Sequence, residues 1–226
     1  MHMVVQSIIM ARIYKLKQRA EQQAATRQRL VEAAVDLHGS VGPALTTYSM
    51  IAERAGVQRH TLYAHFPDER SLFFACSGLV HERDPMPEAA AWRDIADRRK
   101  RLAAGLRAVY GWYERNAALM ACVLRDAEHH ALTREVSTLR FGPSIQAWPE
   151  VLGADLSMNE RAVLQLALSF FTWRTLVREG GLGQSAAVDA MVQAVVCAHA
   201  KGGGGGGDTG CGAAESIAGV SELVGD

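Results

Sequence analysis

The sequence predicts an all-α protein with a small N-terminal domain and a larger C-terminal domain. Apolar residues recur at helical spacing through most of the chain, and no convincing run alternates between apolar and polar residues as a half-buried strand would. The stretch "DPMPEAA" at residues 84–90 interrupts this pattern with two prolines. We therefore predict a basic flexible arm, a small helical domain, a larger helical domain and a Gly-rich flexible tail, at residues 1–24, 25–83, 84–200 and 201–226.

Short helices with recognisable ends make up the small domain. Leu30, Ala33 and Leu37 share one face of the first helix, in "TRQRLVEAAVDLHGS". The second helix, in "TTYSMIAERAG", begins at Thr47, a residue type that caps helix N-termini, and ends at a glycine. The third helix lies in "VQRHTLYAHF", and Asp68 is the predicted N-cap of a longer fourth helix.

Five further helices are expected in the larger domain. Ser157 and Glu160 have the spacing of a capping box at the start of the fourth of them. The tail begins with "KGGGGGGDTG", and because six successive glycines lose much entropy on ordering, we expect it to be flexible. The five helices are predicted near residues 92–115, 117–129, 132–148, 158–179 and 185–200.

Charge is unevenly distributed along this chain, whose formal net charge is zero. Residues 1–80 carry nine Lys and Arg against six Asp and Glu, and residues 81–226 carry 15 against 18. Among the first 30 residues, six basic side chains face only Glu21. A basic segment ahead of a folded domain suits a polyanion such as DNA, and a solvated leader without a partner also explains such a run.

Several classes of protein are disfavoured by what the sequence lacks. Its four cysteines are far apart and form no C-x-x-C pair, which argues against a disulfide framework or zinc knuckle and fits a reduced cytoplasm. No apolar run approaches the roughly 20 residues of a membrane span. The adjacent His129 and His130 diverge on a helix, so we expect no metal site. Without a phosphate loop or nucleophile motif, we expect neither a cofactor nor enzyme activity.

Two short helices joined by a Gly-containing turn, in a basic region, indicate a helix-turn-helix. A helix about 10 Å across fits the major groove of DNA, where base edges carry a distinct donor and acceptor pattern. In "VQRHTLYAHF", Val57, Leu62 and Phe66 fall near one face and can brace the helix from behind. Arg59 and His60 point largely the other way, and we interpret this helix as the recognition helix.

The run "AAVDLHGSVGPALTTYSMIAERAGVQRHTLYAHFPDERSLF", residues 33–73, resembles the N-terminal DNA-binding domain of the TetR/AcrR transcriptional regulators. The Ala-Ala first helix, "TT…IAERAGV" and "TLYAHFPDERSL" match that family in order and spacing. The rest of the chain is similar to the family in architecture alone. The resemblance implies a three-helix DNA-binding domain at residues 25–83 and a larger ligand-binding and dimerisation domain at residues 84–200.

The resemblance also implies a set of DNA-contacting residues. Arg59 and His60 would face base edges, where Arg can donate a bidentate pair to guanine. Thr47 would bond a phosphate through its hydroxyl and backbone N–H. Glu69 stands where many family members have a phosphate-binding lysine, although Arg70 beside it can compensate. The implied DNA-binding residues are Arg27, Thr47, Tyr48, Arg59, His60, Thr61, Tyr63 and His65.

Ligand-binding candidates in the larger domain are aromatic, apolar and arginine side chains, because helices of such a region can enclose a small molecule. Ordinary core packing also explains the aromatic and apolar residues. Arg125 and Arg174 suit an acidic ligand, or they pair with nearby carboxylates. The candidates are Tyr110, Tyr113, Met120, Leu124, Arg125, Phe141, Trp148, Phe170, Trp173 and Arg174.

By resemblance, the expected protein is a repressor released from a near-palindromic, double-stranded DNA operator by a small-molecule effector. The apolar last two helices would form a homodimer interface, and a two-fold dimer presents two recognition helices to two half-sites. The alternatives are a helical-bundle enzyme or small-molecule carrier, and a family member that has lost DNA binding and acts through protein interactions.

Overall fold

The computed structural model describes residues 2–199, with side chains from residue 12 onward. Over these residues it is built from helices, as predicted, and contains no strand. Short 3₁₀ turns lie at Pro43–Leu45 and Ala89–Trp92, and a π-helical stretch spans Arg174–Glu179. The predicted tail at 201–226 lies outside the described residues. The helices are α1 His2–Ser40, α2 Tyr48–Arg54, α3 Arg59–His65, α4 Glu69–Arg83, α5 Arg98–Arg115, α6 Ala117–Ala127, α7 Ala131–Leu152, α8 Met158–Ala167, α9 Phe170–Trp173 and α10 Gln184–Cys197.

The predicted helix caps are confirmed. Thr47 Oγ1 accepts the backbone N–H of Met50 at 3.3 Å at the start of α2. Asp68 likewise accepts the backbone N–H of Ser71 at 2.7 Å at the start of α4. Both halves of the capping box are present at α8, where Ser157 and Glu160 bond each other's backbone N–H. These side chains satisfy N–H groups that the helix itself leaves without a partner.

The N-terminal arm requires a correction, because residues 2–24 are helical in the structure and continue into α1. Residues 2–38 contain no glycine or proline and many good helix formers, so nothing in this stretch interrupts a helix. Side chains of residues 12–29 are exposed or half-buried, and burial begins at Leu30. The chain turns away at Gly42, whose φ of 108° lies in a region that favours glycine.

The described residues form two separate hydrophobic cores. The first is built from α1 to α4, with Leu30, Leu62 and Phe66 fully buried. The second lies among the later helices and is centred on large residues such as Trp112 and Trp148. The two parts touch where α1 packs against α6 and α4 packs against α7.

The helix predicted at 158–179 is interrupted at Leu168 and Ser169. The hydroxyl groups of Tyr110 and Tyr113, on α5, donate to the backbone carbonyls of Ala167 at 2.9 Å and Leu168 at 2.7 Å. A continuous helix would use these two carbonyls for its own next turn. Ser169 instead starts α9 by accepting the backbone N–H of Phe171 at 3.2 Å.

Candidate functional site

The α2–α3 unit has the tight turn that a helix-turn-helix requires. Gly56 adopts a φ of 64° directly after α2, a conformation that costs glycine least. The backbone N–H of Val57 then donates to the carbonyl of Ala52 at 2.9 Å, which closes the end of α2. Three residues, Gly56 to Gln58, separate the C-cap of α2 from the start of α3, so the relative placement of the two helices is closely constrained.

Helix α3 has one buried face and one exposed face. Leu62 and Phe66 are 0% exposed and pack in the first core. Arg59 and His60 are exposed at its start, and Tyr63 is exposed one turn later. The apolar residues therefore hold the helix to the domain, while hydrogen-bond donors and an aromatic ring face outward.

Aromatic contacts link this exposed face to neighbouring helices. The ring of Tyr48, on α2, lies 5.0 Å from the ring of Tyr63, and its hydroxyl donates to the carbonyl of Phe66 at 3.5 Å. Burial raises the pKa of Tyr48 to about 12, so the hydroxyl remains a proton donor at neutral pH. The guanidinium of Arg27 lies 4.2 Å above the ring of Phe66.

Most of the DNA-binding candidates therefore lie on or beside α3. Thr47 is exposed, and its oxygen caps α2, which leaves the hydroxyl proton free to be donated to another group. Thr61 and His65 are half-buried along the flanks of α3. The structure directs Arg70 elsewhere, because it pairs with Glu135 on α7 and lies over the ring of Phe74. In this structure Arg70 is thus engaged with the larger domain.

In the larger domain, a cavity of about 280 Å³ opens between α5, α6, α7 and the α8–α9 break. The hydroxyl of Tyr113 and the indole N–H of Trp148 both donate to backbone carbonyls, of Leu168 and Pro87, so these two residues present rings to the space. The lining residues are Tyr113, Met120, Leu124, Ile145, Trp148, Gln165, Leu168, Ser169, Phe170 and Phe171. Its wall is thus mostly apolar and aromatic.

Five of the ligand-binding candidates line this cavity: Tyr113, Met120, Leu124, Trp148 and Phe170. Tyr110 and Trp173 are fully buried in the second core. Phe141 lines a different, smaller cavity of about 60 Å³ between the two domains, together with His38 and Phe73.

The two arginine candidates have protein partners. Arg174 pairs with Glu179 at 3.0 Å on the surface. Arg125 donates to Asp126 at 2.7 Å and to the carbonyl of Val41 at 2.9 Å, which places it at the junction between the domains. The carboxylate of Asp126 also accepts the backbone N–H of Ala44 at 2.9 Å. The end of α6 thus holds the segment that leads into α2.

Sequence reasoning missed half of the cavity wall: Ile145, Gln165, Leu168, Ser169 and Phe171. Phe171 follows a candidate directly in sequence, which was the one available signal. Ser169 and Leu168 reach the cavity because the helix breaks there, and no sequence pattern marks that break.

No group of three or more metal-binding side chains comes together among the described residues. None of the helices in residues 2–199 has the length and apolarity needed to cross a bilayer.

Comparison with known proteins places these features in a family. Residues 30–76 match the family model described as bacterial regulatory proteins of the tetR family. No curated protein sequence matches the chain.

Solved structures resemble the fold over most of the chain. A TetR-like transcriptional regulator from Rhodococcus sp. RHA1 has a TM-score of 0.55 at 22% identity, covering 76% of this chain and 94% of that one. A linker-substituted mutant of the HlyIIR protein has a TM-score of 0.58 at 14% identity, covering 76% and 97%. The multidrug binding protein EbrR, complexed with imidazole, has a TM-score of 0.51 at 18% identity, covering 74% and 88%. By sequence, residues 30–76 thus match the tetR family of bacterial regulatory proteins, and the chain shares its fold with solved TetR-like transcriptional regulators.

Proposed function

We propose that this regulator is a homodimeric repressor that binds a near-palindromic DNA operator and is released by a small apolar effector. The single observation that carries the DNA-binding part is helix α3. Its buried Leu62 and Phe66 brace a helix whose outer face offers Arg59, His60 and Tyr63. A helix of this width enters the major groove, and an arginine near its start can donate two hydrogen bonds to one guanine.

The phosphate contacts we assign lie around this helix. Thr47 keeps a hydroxyl proton to donate, and Tyr63 is 46% exposed beside Tyr48. Hydrogen bonds to phosphates position a protein on DNA without reading its sequence. We therefore assign base reading to Arg59 and His60, and positioning to the remaining DNA-binding candidates.

The cavity of the larger domain supports the effector part of the proposal. At about 280 Å³ it lies at the lower end of the range for small-molecule sites. Since the polar groups of Tyr113 and Trp148 are already hydrogen-bonded, the wall recognises an effector mainly through apolar and aromatic contacts. A relative by fold, EbrR, is a multidrug binding protein, which agrees with a site of this kind.

Exposed apolar side chains support a homodimer. On and near α8, Met158 is 85% exposed, Leu166 is 59% exposed and Phe171 is 48% exposed. Large side chains of this kind favour a partner surface, and a two-fold dimer places two copies of α3 on two half-sites.

A DNA-binding titration tests the proposal. The probe is the duplex upstream of the protein's own coding sequence, titrated across a salt series. We expect one saturable complex whose affinity falls as salt rises. Arg59→Ala should cost about 1–3 kcal/mol and relax the preference at one base pair. Arg93→Ala, which removes an exposed arginine from the larger domain, is the matched control and should bind like the wild type.

Two results would contradict this proposal. Absence of any saturable complex on that duplex, and on duplexes selected from random sequence, would favour a carrier, an enzyme or a protein-interaction role. Unchanged affinity and sequence preference in Arg59→Ala would remove Arg59 from the reading surface. A screen of small apolar compounds for release of the complex then tests the effector, and binding should quench the fluorescence of Trp148.

A further inference from the structure

The N-terminal extension, which we define as residues 12–29 of α1, stands outside both cores. Its side chains are exposed apart from a half-buried Thr26, and even Tyr14 is 67% exposed. At 1.5 Å per residue, it reaches about 27 Å beyond the first buried residue, Leu30. Packing of an apolar face supplies most helix stability in proteins, and this helix has no such packing against the described part of the chain. The side chains of the extension therefore indicate which kind of partner it fits.

Three basic residues of the extension share one face, and it is the face that enters the core further along α1. Eighteen residues equal five helical turns at 3.6 residues per turn, so positions separated by 18 point in the same direction. Shifting the basic residues by 18 gives residues of the first core. The related pairs are Arg12 and Leu30, Lys15 and Ala33, and Arg19 and Leu37.

This basic face is therefore directed to the side of α1 on which α2, α3 and α4 lie. The extension leaves the domain next to the recognition helix, because Arg27 stacks on Phe66 at the C-terminal end of α3. The half-buried Tyr48 donates its hydroxyl to the carbonyl of this Phe66, and the ring of the exposed Tyr63 contacts that of Tyr48. The extension thus overhangs the end of α3 with its basic face toward that side.

The charges on this face are free to act on a partner. Lys17 lies on another face and forms an ion pair with Glu21 at 4.0 Å. Arg12, Lys15 and Arg19 form no ion pair with any side chain of residues 12–199. Three unpaired cations in line, spaced over about 10 Å of helix, complement a row of phosphates better than they complement an apolar surface.

We propose that the N-terminal extension is a second DNA-contacting element, in which Arg12, Lys15 and Arg19 bind backbone phosphates outside the segment that α3 reads. This inference rests on the proposed function, since it assumes that the exposed face of α3 contacts the DNA bases. The contacts carry no base specificity. They lengthen the bound segment by up to about 27 Å, or roughly eight base pairs at 3.4 Å each, on each side.

Salt dependence and footprint length test the extension. The full chain is titrated, as wild type and as the triple variant R12A/K15A/R19A, on two duplexes of about 40 base pairs, long enough for two half-sites and their flanks. One duplex is selected by the wild type from random sequence, and the other is unrelated in sequence. Alanine preserves helix propensity, so the triple variant changes charge rather than secondary structure, and circular dichroism checks this.

We expect the slope of log K against log salt to become shallower by about 1 for each phosphate that the variant no longer neutralises, up to about 3 per protomer. Hydroxyl-radical protection should also shorten at both outer ends, while the preferred sequence stays the same. A charge-matched control, R93A/K100A/R107A, removes three exposed cations from the larger domain and should keep the wild-type slope and footprint. The single variants R19A and K17A compare the basic face with another face of the same helix, and the larger effect should come from R19A.

The extension proposal is overturned if the triple variant keeps the wild-type slope and footprint, or if it changes only the association state of the protein. A wild type that shows no preference for the selected duplex overturns the proposed function instead. In that case a shallower slope of the triple variant on the unrelated duplex still supports the extension. Failure of the wild type to bind either duplex overturns both.

Discussion

The carboxylate of Asp126 should be one of the most costly charged groups to remove from this protein. Its side chain is 1% exposed and accepts hydrogen bonds from the backbone N–H of Ala44 at 2.9 Å and from Arg125 at 2.7 Å. Removal in Asp126→Ala leaves the Ala44 N–H without this acceptor, which costs about 1–3 kcal/mol. Loss of the charge-assisted bond to Arg125, whose own contact to Val41 then loosens, adds about 1 kcal/mol.

We therefore expect Asp126→Ala to lower the free energy of unfolding by about 2–4 kcal/mol at neutral pH, measured by urea unfolding followed by tryptophan fluorescence. Asp126→Asn keeps an oxygen for the Ala44 N–H and should cost less. Asp36→Ala is the matched control, because Asp36 pairs with Arg54 at the surface with a side chain that is 60% exposed. Exposed pairs contribute about 0–1 kcal/mol. Equal destabilisation by Asp126→Ala and Asp36→Ala would refute the argument.

The pH dependence of Asp126 gives a second check. Burial opposes its ionisation, but the hydrogen bonds from Arg125 and Ala44 together with the positive charge of Arg125 favour it, and the pKa of Asp126 is lowered. Its stabilising effect is therefore present above the ordinary pKa of an aspartate and is lost as pH falls through the lowered pKa. The difference in the free energy of unfolding between the wild type and Asp126→Asn should therefore become smaller in acid.

Two further predictions concern a buried histidine and a helix cap. Burial lowers the pKa of His38 from 6.5 to about 4, so the unfolded chain takes up a proton before the folded one. Stability should fall by about 3 kcal/mol more in the wild type than in His38→Leu between pH 6.5 and 4. Parallel pH profiles of unfolding would contradict this. Ser157→Ala removes half of the capping box of α8 and should cost about 1 kcal/mol. Thermal unfolding measures this loss. The control is Ser185→Ala, which lies in the first turn of α10, where no side chain caps the helix, and it should cost less.

Local signals predicted the small domain well because its elements are specified by residues close in sequence. Thr47 and Asp68 cap their own helices, and Gly56 allows the turn after α2. The spacing that placed Leu62 and Phe66 on one face needs only the helical period. For such elements, the residues that determine the local structure lie within the element itself or next to it in the sequence.

Non-local contacts explain where the sequence-based predictions were wrong. Helix α7 was expected to end at residue 148 but continues through Pro149 to Leu152, which is 0% exposed and fills the second core. The break at residues 168 and 169 exists because two tyrosine hydroxyls from α5 take carbonyls there. Both features depend on which helices meet, and helical period and propensity do not contain that information. The cavity depends on the break, so its wall was predictable only in part.

Helix α6 is one of the elements that contact both the cavity and the DNA-binding domain. Met120 and Leu124 line the cavity. Asp126, two residues after Leu124 on the same helix, accepts the backbone N–H of Ala44. An eleven-residue helix moves as a rigid unit, because its backbone hydrogen bonds resist local bending. A ligand that displaces Leu124 by shifting or turning α6 must therefore move Asp126 as well. The segment held by Asp126 leads directly into α2 and Thr47, so α6 joins the cavity wall to the segment that precedes the helix-turn-helix.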